Sequence, residues 1–104
     1  MSDQNATTGD PRFSLGQVLA TPGALQALEE IGQAPACFLD RHARGDWGDV
    51  DQRDWQLNDQ ALQDGSRILS AYKTPKGTKI WIITEAADDD GKRAATTLLL
   101  PEEY

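Results

Sequence analysis

The chain has 104 residues, of which 38% are apolar and 26% charged, and a net charge of −7. That length holds one domain, and that balance describes a globular chain and not a disordered one. A single cysteine, Cys37, and a single histidine, His42, exclude an intramolecular disulfide and a structural zinc site of the Cys/His type.

Residues 1–12 carry almost no apolar surface and are expected to form a disordered tail ahead of one domain over 13–104. No stretch approaches the roughly 18 apolar residues that span a bilayer, and the polar N-terminus has no signal-peptide character. The expectation is therefore a cytoplasmic protein without a membrane contact. Phe13, Leu15, Val18 and Leu19 make a short apolar segment with strand character, interrupted by Gly16.

Thr21 and Pro22 then start a helix, the hydroxyl capping a free N–H and the proline filling a position that needs none. Ala24, Leu25, Leu28 and Ile31 give it an apolar face, and Gly32 ends it. A second helix runs from Pro35 to about Ala43, with Arg41, His42 and Arg44 in the last turn, where positive charge suits the helix dipole. Cys37, between Ala36 and Phe38, reads as buried and inert.

Gly45-Asp46-Trp47-Gly48 is a tight corner, with Trp47 expected to plug the core and Asp46 or Asp49 to cap a third helix. That helix ends at Asp64 before Gly65, with Val50, Leu57 and Ala61 on its inner side and Trp55 and Leu62 nearby. The C-terminal third changes period. Ile68–Lys73 alternates as a strand, Thr74-Pro75-Lys76-Gly77 turns, and Ile80–Thr84 is the most β-favouring run. Asp88-Asp89-Asp90-Gly91 makes another turn, and Ala95–Leu100 forms the last strand, closed by Pro101. The contiguous aspartates lack the alternating spacing of an EF-hand loop, so no metal is expected there. The fold class is α+β: N-terminal helices packed on a three-stranded, at most four-stranded, antiparallel meander.

The charge is uneven. Residues 1–45 balance to −2 and residues 67–104 to zero, whereas 46–66 hold six aspartates against Arg53, a balance of −5. Affinity for DNA comes from Lys and Arg neutralising phosphates, so direct DNA binding is not expected, and a protein with a basic surface is the natural complement. The candidate contact residues are Asp46, Trp47, Asp51, Asp54, Trp55 and Asp59, two aromatic anchors among carboxylates.

Three segments taken together carry a resemblance: FSLGQVLATPGALQAL from Phe13 to Leu28, FLDRHARGDWGD from Phe38 to Asp49, and the C-terminal RILSAY…KIWIITEA…TTLLLPEEY. They resemble an uncharacterised family of small bacterial proteins of plasmids and other mobile elements, often labelled "plasmid-related protein" or "type I restriction endonuclease subunit M". A methylating subunit needs a glycine-rich loop for S-adenosylmethionine and an Asn-Pro-Pro-aromatic motif for the flipped base; this chain has neither. Ala87–Lys92 lengthens a turn that is short in the family, which argues against a site at that hairpin tip. The resemblance implies an accessory protein of a mobile element.

Joined to the acidic segment, it suggests a non-enzymatic protein without cofactor that binds a basic protein partner. One version is an inhibitor whose carboxylates occupy the nucleic-acid groove of a host defence complex. The alternative is a small metal-independent ribonuclease or toxin, similar in architecture to the barnase/RelE-like nucleases. His42, Glu85, Arg67 and Tyr72 would supply its base, acid and phosphorane-stabilising cation. As structural residues, His42 would meet the helix dipole or Asp46, and Arg67 and Glu85 would form a cross-strand pair.

Overall fold

A computed structural model describes residues 11–104. The tail expected over residues 1–12 therefore lies outside the described residues up to Asp10. Arg12 is tied to the domain, its N–H donating to the Ala43 carbonyl at 2.8 Å.

The elements are β1 (Gln17–Ala20), α1 (Pro22–Glu30), α2 (Pro35–Ala43), α3 (Gln52–Asp64), β2 (Ile68–Lys73), β3 (Lys79–Thr84) and β4 (Ala95–Leu99), then a 3-10 turn at Pro101–Glu103. The class is α+β, but the sheet is four-stranded and mixed, in the order β1-β4-β3-β2. The expected meander is its antiparallel part: Ile68 pairs with Thr84, Tyr72 with Ile80, and Ile82 with Leu98. Against expectation, β1 joins parallel to β4, with Val18 opposite Thr96 and Ala20 opposite Leu98. A parallel partner must be reached through a long crossover, here everything from α1 to β3, so no turn signal announces it.

Local chemistry sets the helix starts. Thr21 caps α1 by accepting from the Ala24 N–H at 3.1 Å. The α3 cap is Asp51, which accepts from the Asp54 N–H at 2.8 Å; Asp49, the expected cap, lies two residues outside. The Asp49 N–H instead donates to the Ala71 carbonyl, because residues 47–49 run beside β2.

One core cluster joins Ala24, Ala27 and Leu28 of α1 and Phe38 of α2 to Tyr72, Ile80, Ile82 and Leu98. Leu25, expected on the apolar face, is 47% exposed. The stripe that faces the sheet is 24, 27, 28, 31, and Leu25 lies beside it. Cys37 is exposed for the same reason: α2 turns Phe38 and His42, four residues apart, inward. A second cluster holds Trp47, Ala61 and Ile68, with Phe13, Val50, Trp55 and Leu62 against it.

The free edge of β2 is covered. The Ala71 N–H donates to the Trp47 carbonyl at 3.1 Å. The Asn58 amide from α3 both accepts from the Leu69 N–H at 3.2 Å and donates to its carbonyl at 2.7 Å. A side-chain amide here replaces a fifth strand. Gly48 makes the approach possible: its φ is +78°, and a Cβ there would overlap the Ala71 carbonyl oxygen.

Candidate functional site: the acidic helix and its flanks

Exposed carboxylates line the segment that sequence assigned to a partner, and five of the six named residues do structural work there. Trp47 is fully buried and donates its indole N–H to the Asp59 carboxylate at 2.9 Å. Asp46 pairs with Arg41 at 2.8 Å, an interaction that holds its carboxyl below the usual range. Asp51 caps α3, and Trp55 is partly buried against the Trp47 cluster. Asp54 is exposed, in the first turn of α3 where negative charge meets the positive helix end.

Two residues of α3 trade places relative to the sequence reading. Leu57, placed on the inner side, is 51% exposed, and Asn58 is buried at the sheet edge. Positions 58 and 61 share the inner stripe, and the Leu69 backbone groups reward an amide there more than an aliphatic chain. Leu57 is thereby left at an open cleft of about 230 Å³ lined by Asp54, Asn58, Arg67 and Leu69. Counting from Ala61 admits 57 and 58 alike; Trp55 and Leu62, three and four residues from Asn58, are the positions that centre the inward stripe on 58.

The four residues of the nuclease reading are not brought together. His42 is 0% exposed and lies in a hydrogen-bonded chain. Its Nδ1 is 2.5 Å from Ser70 Oγ, its Nε2 is 2.8 Å from Thr84 Oγ1, and that hydroxyl is 2.8 Å from Thr96 Oγ1. The Thr96 hydroxyl donates to the Leu15 carbonyl at 2.7 Å. A carbonyl only accepts, so the direction of the whole chain follows. Thr96 spends its proton on Leu15, Thr84 donates to Thr96, His42 donates from Nε2–H to Thr84, and Ser70 donates to Nδ1. The neutral ring is fully satisfied. Burial, with Arg93 nearby, pushes its pKa down to about 3. His42 meets neither the helix dipole at the surface nor Asp46, as its structural reading had it.

Tyr72 is also buried; its hydroxyl donates to the Asp46 carbonyl at 2.6 Å, and burial pushes its pKa up to about 12. Arg67 does not pair with Glu85. Its guanidinium donates to the Tyr104 hydroxyl at 2.8 Å and lies over that ring, while Glu85 is exposed beyond the end of β3. Arg93, which sequence left unassigned, is a buried cation held by carbonyls: Ser66 and Glu85 at 2.8 and 3.0 Å, and Ala61 at 3.1 Å. The three-aspartate turn is held from within, Asp88 accepting from the N–H groups of Asp90 and Lys92.

Among the described residues, no cluster of His, Cys, Asp or Glu could hold a metal ion, and no helix is long and apolar enough to cross a membrane. No family model, no curated protein and no solved structure matches the chain.

Proposed function

We propose that this is a non-enzymatic protein-binding module that presents the outer flank of α3 to a basic surface of another protein. The observation that carries the reading is Leu57, half exposed in the middle of a helix whose exposed positions include Asp54, Asp59 and Asp64. An apolar anchor next to Asp54 at the mouth of an open cleft, on the chain's most acidic segment, suits the anatomy of a contact patch with a desolvated centre and a charged rim. The contact set is narrower than composition suggests: Asp49, Asp54 and Leu57 are the side chains free to meet a partner, because Asp46, Asp51 and Asp59 are engaged within the fold.

The acidic flank also suits the version in which carboxylates stand in for phosphates in the nucleic-acid groove of a host defence complex. That version draws on the resemblance to mobile-element proteins. The nuclease reading has less support, since His42 is sealed from solvent and Arg67 is turned to Tyr104.

The experiment is capture of the partner with the tagged full chain, followed by titration of the isotope-labelled protein with that partner and mapping of amide shifts. Shifts centred on Asp49–Leu57 and Arg67–Leu69 are expected. Shifts confined to the face bearing Trp81 and Tyr104 would contradict the reading.

A further inference from the structure

The two edges of the sheet are treated differently. β2 is closed by Trp47, Asp49 and the Asn58 amide, as described above. Among the described residues β1 pairs with β4 alone, and all of it is exposed or half-exposed. Gln17 and Thr21 donate their N–H groups to the carbonyls of Ala94 and Leu98. Alternation along a strand then turns the N–H and C=O of Val18 and Ala20 outward. The side chains at this edge are apolar: Val18 is 45% and Leu19 44% exposed. Edges are commonly blunted by charge, proline or a bulge. None is present within β1.

Charge says what this edge fits. The sixteen residues from Phe13 to Leu28 carry no charge, in a chain with a net charge of −7. A basic partner gains nothing here from electrostatics, whereas a second acidic molecule can approach without like-charge repulsion. The acidic helix packs on β2, at the far edge of the sheet. Two copies joined through β1 would hold their α3 helices about seven strand spacings apart, roughly 34 Å. That is several times the screening length of about 8 Å at physiological salt. Both acidic flanks stay free and unopposed.

We propose that β1 is the contact strand of a symmetric homodimer, pairing antiparallel with β1 of a second copy so that two four-stranded sheets become one. The register follows from the outward groups. Val18 of each copy faces Ala20 of the other and exchanges both backbone hydrogen bonds with it. Leu19 then lies on the two-fold axis as a non-hydrogen-bonded pair, the closer of the two cross-strand geometries. Pro22, which has no N–H, would next face Gly16 of the other copy, and by the two-fold symmetry it ends the pairing at both ends. The contact is isologous, so it closes at two copies and does not propagate.

The test is sedimentation equilibrium of the full chain from micromolar to millimolar concentration. The mass is expected to rise from 11.4 kDa toward twice that value. Leu19→Lys sets two like charges against each other on the axis; the mass should then stay monomeric with an unchanged circular dichroism spectrum. A second variant reports register: Leu19→Cys in a Cys37→Ser background, treated with oxidised glutathione, should give an interchain disulfide, whereas Leu25→Cys should not. A monomer at every concentration overturns the proposal, whether the edge serves a strand of another protein or the chain before Arg12. So does a dimer whose mass is indifferent to Leu19→Lys, or one in which the Leu25→Cys variant cross-links as fast as the Leu19→Cys variant.

Discussion

Trp47 and Asp59, both read from sequence as contact residues, are bound to each other: the buried indole N–H donates to the carboxylate at 2.9 Å. The pair fastens α3 to the corner that closes the edge of β2. Asp59→Ala would leave the buried N–H without an acceptor and should cost about 1–3 kcal/mol. Asp59→Asn keeps an acceptor oxygen and should cost under about 1 kcal/mol. Urea denaturation at pH 7 separates the two.

The sole histidine gives a clean pH signature. Folded His42 titrates near 3 because burial and Arg93 disfavour its charge, while the unfolded chain titrates near 6.5. The unfolded state therefore binds the extra proton between these values. The contribution to stability is complete above pH 6.5 and is lost as pH falls toward 3. Between pH 7 and pH 5 the loss should be about 2 kcal/mol. His42→Gln should flatten this slope while lowering stability at pH 7. The imidazole proton resonances should not titrate between pH 8 and pH 5 in the folded protein.

Gly48 and Asn58 guard the edge of β2 by different means. Gly48→Ala forces a side chain into a left-handed conformation against a carbonyl, and should cost at least about 2 kcal/mol. Asn58→Ala removes the amide that stands in for a strand, and should cost about 1–3 kcal/mol with an increased tendency to aggregate. Thermal scans and light scattering check both. Asn58→Ala without loss of midpoint would mean that water replaces the amide at no cost.

What sequence could show was local. The threonine and proline at 21–22, the helix from Pro35 to Ala43, the alternation of 68–73 and the β-favouring run 80–84 each carry their signal within a few residues, and each appears where expected. What it missed depends on distant partners. β1 finds β4 some eighty residues away, and a four-residue strand carries too short a pattern to reveal a parallel mate. His42 looked like a dipole partner because of its place in the last turn of α2. The spacing from Phe38 to His42 was the better guide, because it sets the ring on the inner face beside Ser70 and Thr84. Asp49 and Asp51 are equally good caps by composition. The approach of residues 47–49 to β2 decides between them.

The central claim is that exposed charge and one apolar anchor on α3 bind a basic protein. The most direct measurement is surface-based kinetics of the captured partner against wild type and an Asp49→Asn, Asp54→Asn double variant, which spares the cap at Asp51 and the Trp47–Asp59 bond. Neither replaced side chain is buried, so the fold should survive with a loss of at most about 1 kcal/mol from the Asp54 charge at the start of α3, and wild-type affinity should itself weaken as salt rises. The account predicts an on-rate reduced about 3- to 10-fold at low salt with a nearly unchanged off-rate, because rim charges steer encounter. Leu57→Ser should instead raise the off-rate. A double variant that binds as fast as wild type at low salt, together with an indifferent Leu57→Ser, would contradict the account.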